Sequence, residues 1–220
     1  MNFSKLTLAF LLIILIACSQ ESGIPESIVW DIDNLENIGG NKVTVFGAPI
    51  VIETPKGKAV QFDGVDDGIF LDTNPLTGAH EFTVEIIFRP DSGGNTEQRF
   101  LHIGEADGNR VLIETRLTEN NKWFLDTFIK SGESERTLYA NNFLHPVGEW
   151  HHAALVYDGK SMRHFVNGVK ELEGTIDYVP MKTGQTSIGC RMNKVYWFKG
   201  AIRKVRVTHR VLSPEEFMPM

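Results

Sequence analysis

His102, His164, Arg116, Arg191, Tyr157 and Tyr196 are residue types that together could move a proton beside a sugar carboxylate. β-Elimination from a uronate needs a cation on the carboxylate, a base for the α proton and an acid for the leaving oxygen. Arg116 or Arg191 suits the first role, His102 or His164 the second, and Tyr196 or Tyr157 the third. A second chemistry breaks no bond. Sugar recognition stacks rings on pyranose faces and fixes hydroxyls with a few placed polar groups. Phe124, Phe128, Trp123, Tyr196 and Trp197 supply rings, and Glu114, Asp126 and Arg191 supply polar groups. A third chemistry, glycoside hydrolysis, asks for two carboxylates about 5 to 10 Å apart. Only Glu114 and Asp126, on adjacent segments, could meet that distance, and only with a favourable register. Metal catalysis finds no His-x-x-x-His or cysteine pair at ligand spacing, and phosphate-loop and dinucleotide fingerprints are missing.

The elements that must carry these residues read as strands. Short runs rich in Val, Ile, Phe, Tyr, Trp and Thr alternate apolar and polar positions, for example 82–89, 99–104, 110–117, 123–129, 150–157, 161–166 and 201–208. Asp107-Gly108, Asp158-Gly159 and Asn167-Gly168 separate them, and such pairs take positive φ at little cost, so each predicts a hairpin. Val111 and Ile113 point one way, and Leu112, Glu114 and Arg116 the other; Phe124, Asp126 and Phe128 likewise oppose Leu125 and Ile129. His102, between Leu101 and Ile103, falls on the polar side. The facing of His164 stays open. Ser213-Pro214-Glu215-Glu216 predicts one helical turn with Ser213 as its cap. Many strands without intervening helices predict an all-β, antiparallel two-sheet jelly-roll sandwich.

Lys5 followed by the apolar run 6–16 and Ala17-Cys18 predicts a lipoprotein export signal over residues 1–17, with Cys18 as the acylated mature terminus. Residues 18–27 then form a polar tether, and 28–220 one domain. Ser19 after the cysteine favours the outer membrane, and contact with the bilayer is expected through the acyl group only. The formal net charge is −6, and loss of Lys5 with the leader takes it to −7. An acidic domain is a poor partner for nucleic acid. With Cys18 lipidated, Cys190 has no partner for a disulfide. The oligomeric state is not legible.

Five segments resemble the laminin-G-like, concanavalin A-like lectin/glucanase superfamily: Ala59–Asp67, Phe82–Pro90, Glu149–Gly159, Phe165–Gly168 and Phe198–Val207 followed by Val211–Glu216. The resemblance implies two curved sheets with ligand on the concave face or at a loop rim, and it spans sugar-binding modules, glycoside hydrolases and polysaccharide lyases. It implies that Trp150 and the start of its strand pack the core, with His151 and His152 as framework. It also implies a calcium site near an early Asp-rich turn, here Asp63, Asp66 and Asp67, completed in the family by late acids where this chain carries Arg203-Lys204. Calcium is thus expected at most as a structural ion, and no cofactor is required. The function expected is a lipid-anchored protein that binds polysaccharide or oligosaccharide in a glycan-utilisation system; elimination of uronate-containing oligosaccharides stays open beside it.

Overall fold

The computed structural model describes residues 26–220, so the export signal, Cys18 and most of the predicted tether lie outside the described residues. The strands are β1 (Ser27–Asp31), β2 (Asn37–Ile38), β3 (Asn41–Phe46), β4 (Ile50–Thr54), β5 (Gly57–Asp63), β6 (Gly68–Leu71), β7 (Phe82–Pro90), β8 (Glu97–Gly104) and β9 (Arg110–Leu117). They continue with β10 (Lys122–Ser131), β11 (Ser134–Tyr139), β12 (His145–Pro146), β13 (His151–Tyr157), β14 (Ser161–Val166), β15 (Val169–Thr175), β16 (Gln185–Ile188) and β17 (Lys199–Thr208). A 3-10 turn, Pro214–Glu216, follows β17 with Ser213 at its N-cap as predicted, and the Ser213 amide donates to Glu216 Oε2 at 2.9 Å. Strand β1 begins inside the predicted tether, at Ser27, because it finds a partner edge on β17.

The strands form two antiparallel sheets. One has eight strands in the order β15-β14-β13-β7-β17-β5-β4, with β1 also on β17. The other has nine, β11-β10-β9-β8-β16-β6-β3-β2, with β12 also on β10. Hydrophobic residues at every second position of both sheets interleave between them: Phe62, Val84, Phe88, Phe100, Ile113, Trp123, Leu125, Phe198 and Ile202 are all buried. Phe88 stacks on Phe100 with centroids 4.6 Å apart and meets Trp123 edge-on at 5.2 Å. Each such ring removed from water contributes roughly 1.5–3 kcal/mol. Asn167 and Gly168 adopt φ of 50° and 79°, the two left-handed positions that a tight hairpin between β14 and β15 requires.

Three bulges interrupt the alternation, between Arg99 and Leu101, between Ile202 and Lys204, and between His164 and Phe165. An extra residue shifts every following side chain to the other face unless the strand recovers. In β8 the recovery buries both Phe100 and Leu101, and Arg99 and His102 stay on the outer face.

Trp150 departs from expectation. It is only half-buried and lies outside the sandwich, beneath the guanidinium carbons of Arg89 and Arg203 at 5.6 and 5.8 Å from its ring centroid. The core tryptophan of this region is Trp123, which donates its indole N–H to Pro146 O at 3.1 Å. Its alternation partner, Phe124, consequently faces outwards.

Candidate functional site

Strands β8, β9, β10 and β11 lie side by side, and the polar positions of their alternating patterns fall on the outer face of the nine-stranded sheet. Register places Glu114 opposite Asp126, Arg116 opposite Phe124, and Asp126 opposite Tyr139. A hollow of about 240 Å³ opens over them, lined by Arg99, Arg110, Glu114, Arg116, Asp126 and Phe128 among others.

The hollow's floor is an alternating ladder of charge. Arg99 Nε donates to Glu114 Oε2 at 2.9 Å, and Arg116 donates to Asp126 Oδ2 at 2.7 Å and also pairs with Glu97. Arg116 Nη2 lies 3.9 Å from Glu114 Oε2, so one guanidinium spans both acids. Burial, reinforced by the charge of Asp126, pushes the Glu114 carboxyl up to about 7. Burial also raises Asp126, against the opposing pull of Arg116. Two polar atoms of the residues lining this hollow are buried without a hydrogen-bond partner: Asp126 Oδ1 and Arg110 Nε. A buried polar group left unmatched costs on the order of 1–3 kcal/mol, so a small shift of this cluster that admits a hydroxyl or a water would be favoured.

Rings border the charges. Phe124 stacks on Tyr139 with centroids 6.1 Å apart, Arg110 covers Phe128 at 5.0 Å, and Arg99 sits 4.0 Å from the Tyr196 ring centroid. Tyr196 stands at the rim with φ of 59° and Lys194 with φ of 60°, a left-handed backbone that costs non-glycine residues energy. The strained turn is fixed by the Arg191–Val195 bridge and by Lys194 N donating to Arg191 O at 2.8 Å. Beside it, Trp197 packs near Cys190 and Phe70, and Phe70 meets Phe46 edge-on at 4.9 Å. Burial drives the Cys190 thiol up to about 12, which leaves it an inert packing group.

The structure thus gathers Glu114, Arg116 and Asp126 in one hollow, with Phe124 beside Arg116 in register and Tyr196 against Arg99 at its edge; Arg191 bonds instead to Ala106 O and Asp107, and Trp197 packs over β6, so neither is brought into the hollow. His102 shares the face, yet its ring is wholly buried. Nε2 meets Glu105 O at 2.9 Å and Nδ1 accepts from Met192 N at 3.3 Å, and burial depresses its pKa to about 4. Both nitrogens are committed, so His102 positions the 190s turn and has no lone pair free to abstract a proton. His164 lies inside the sandwich, sealed from the hollow. It projects from β14 between the sheets to Thr127 Oγ1 at 3.0 Å, and its Nε2 stands 3.7 Å from Glu171, the residue that the β15 bulge turns inwards. Tyr157 is likewise core, with its hydroxyl donating to Ile176 O at 3.3 Å. The bases expected for elimination are therefore missing from the hollow, because burial took one and the other sheet took the second. Trp123 is lost to ligand for the same reason. Arg99, Arg110 and Tyr139 were missed by sequence reasoning; only the register that sets them beside Glu114, Phe128 and Asp126 reveals them.

Asp63, Asp66 and Asp67 do converge, with ligand oxygens within 4.8 Å of one another. Asp67 spends both oxygens on backbone, accepting from Ala48 N at 2.6 Å and Asp63 N at 2.8 Å. Asp63 Oδ1 accepts from Val65 and Asp66 amides. Hydrogen bonds thus close this turn from within, and Asp66 with the outer oxygen of Asp63 are what it leaves for a dication. Arg203 and Lys204 are several residues along β17 from this turn, whose direct strand partner is Lys199.

No curated protein sequence matches the chain. Among solved structures it is similar to domain 4 of AbnA, an extracellular GH43 arabinanase from Geobacillus stearothermophilus solved with arabinotriose. The identity is 20%, the TM-score 0.65, and the match covers 86% of this chain and 94% of that one. The binding domain of botulinum neurotoxin DC, in complex with SialylT, matches at 13% identity and a TM-score of 0.65 over 88% of this chain, which spans half of that domain's length. The Ruminococcus gnavus IT-sialidase CBM40, bound to alpha2,3 sialyllactose, matches at 18% identity and a TM-score of 0.52, covering 78% and 95%. At these identities the likeness establishes the two-sheet fold. Residues 63–217 match the family described as the concanavalin A-like lectin/glucanases superfamily, and the match covers most of the chain, which therefore belongs to that superfamily.

Proposed function

We propose that the chain is an extracytoplasmic carbohydrate-binding protein that takes an oligosaccharide, or a short stretch of polysaccharide, into the hollow above Glu114 and Asp126. The observation that carries this reading is a hollow floored by Arg99, Glu114, Arg116 and Asp126, whose Oδ1 has no hydrogen-bond partner, with the Phe124–Tyr139 ring pair on the strands beside it and Tyr196 against Arg99. Charged groups that already pair with one another are held rigid, so a sugar hydroxyl meets them without further ordering cost. The volume is below the roughly 300–1,000 Å³ of typical ligand pockets, which suits one or two sugar units. That solved relatives of the same fold include domains crystallised with arabinotriose and sialyllactose supports a sugar as the ligand class.

Binding rather than elimination is the reading the hollow supports, since neither candidate histidine reaches it with a free nitrogen. In this proposal Cys18 carries the lipid and holds the domain at a membrane, the outer one, within a glycan-utilisation system. A dication completes the picture: Asp66 and Asp63 would hold a calcium ion weakly, with water filling the remaining coordination, to stiffen the β5–β6 turn.

The test is a glycan panel that includes arabino-oligosaccharides, sialyllactose and uronate oligosaccharides, read by calorimetry and by absorbance near 235 nm. Saturable binding lost in Asp126→Asn, without growth of unsaturated product, supports the proposal; product growth, or binding that survives Asp126→Asn and Arg116→Ala alike, overturns it. Labelled palmitate incorporated by the parent chain and not by Cys18→Ser tests the anchor.

A further inference from the structure

The outer face of the eight-stranded sheet carries a second concavity, of about 520 Å³, into which Lys56, Lys58, Arg203, Lys204 and Arg206 converge. Five cations in one cleft is anomalous for a chain whose formal net charge is −6. Their convergence has a backbone cause. Ile202 and Val205 of β17 both point into the core, and the bulge between Ile202 and Lys204 turns the two residues between them, Arg203 and Lys204, to the same outer face. Without the extra residue, strict alternation would put one cation there.

Their charges are unevenly matched. Lys204 pairs with Asp31 at 2.8 Å, and Arg206 is held by buried Glu85 and by Glu216 O at 2.7 Å. Lys58 reaches only exposed Glu53, at 3.9 Å. Arg203 has no carboxylate within pairing distance among the described residues: its one bond goes to Lys56 O at 3.4 Å, and its Nε is buried without a partner. Arg203 also joins the cleft to an apolar recess of about 300 Å³ formed by Pro55, Trp150 and Met220.

We infer that this cleft is a second glycan site, specific for a sugar chain bearing fixed negative charge, carboxylate or sulfate. Arg203 and Lys58 take the anionic group, Asp31 and Asp33 accept hydroxyls, and the half-buried Trp150 offers an apolar wall to the next sugar. The two acids in the lining disfavour a polynucleotide, and a concave floor suits a chain better than a flat bilayer. The ligand class rests on the carbohydrate reading above, but the site is on the opposite face and shares no residue with the hollow. Occupied together, the faces would make a monomer bivalent, so a short-linked glycan network could be gripped from both sides.

The test uses the full chain in detergent, run through gels containing dextran sulfate, polygalacturonate or neutral dextran. Retardation by at least one of the two anionic polymers and none by dextran is expected, weakening as salt is raised. Arg203→Ala with Lys204→Ala should reduce apparent affinity about tenfold, and Lys58→Glu, at an exposed position, should act in the same direction if the double variant folds poorly. Tyr139→Ala, an exposed ring beside the hollow, should leave the retardation unchanged. No retardation, retardation indifferent to Lys58→Glu, or retardation lost in Tyr139→Ala would each overturn the inference. A Cys18→Ser chain provides the lipid arm: capture on phosphatidylglycerol vesicles, lost on Lys58→Glu, without retardation by either polymer, would reassign the cleft to a membrane.

Discussion

Glu114 and Asp126 stand directly opposite each other on β9 and β10, with Arg116 bonded to one and within 3.9 Å of the other. Two acids on non-adjacent residues of the chain are thereby held by one guanidinium, on a face where the next strand adds Arg99. Removing Arg116 takes from buried Asp126 its one ion-pair partner, whereas Glu114 keeps Arg99 in that case and Arg116 keeps Glu97 if Asp126 is lost.

Asp126→Asn keeps the shape but weakens the bond to Arg116 and presents an amide to the ligand. Glycan affinity should fall at least tenfold, about 1.4 kcal/mol or more, with a stability loss on the order of 1–3 kcal/mol in urea denaturation. Unchanged affinity would remove Asp126 from the site.

Glu114 gives the fold a pH signature. Its folded pKa, about 7, is above its unfolded value, so the folded state binds the extra proton and stability from this group falls as pH rises from about 4.5 through 7. His102 and His164, pressed down to about 4, act oppositely: they lose stability as pH falls from 6.5 towards 4. In the parent these slopes oppose each other. Glu114→Gln removes the falling one, so its stability should rise with pH between 4.5 and 6.5 more steeply than the parent's, by at most about 1.4 kcal/mol per pH unit. Parallel curves would refute the assignment.

His102→Ala removes two hydrogen bonds and leaves a cavity behind the 190s turn. A cost of about 2–4 kcal/mol is expected, with affinity per folded molecule reduced only as far as Tyr196 shifts. A 235 nm product made by the parent and lost here would instead restore His102 as a base.

Calcium and Asp67 should separate. Asp67→Asn breaks a bond from Ala48 or Asp63 and should lower Tm with or without the ion, whereas Asp66→Asn should leave the calcium-free Tm within a degree or two. Millimolar calcium should raise the parent's Tm and leave that of Asp66→Asn unmoved, as a thermal melt would show.

Much of this is legible in the order of the residues. Alternation put Glu114, Arg116 and Asp126 on one side of their strands and Val111, Ile113 and Leu125 on the other, because successive Cβ atoms must diverge and apolar ones must be covered. Turn pairs such as Asn167-Gly168 marked hairpins through the positive φ they tolerate, and the family segments named the fold.

Tertiary structure decided what period two cannot. Alternation says that His102 and His164 each have a face, but not which sheet lies above it, so only packing sent one beneath the 190s turn and the other between the sheets. It cannot foresee bulges either: a single added residue aims Glu171 into the interior and brings Arg203 and Lys204 to one surface, and its energetic reason lies in neighbouring strands. The pairing of Glu114 with Asp126, and the elevated proton affinity that follows, comes from register and burial, which are properties of the assembled sheet rather than of any segment of the chain.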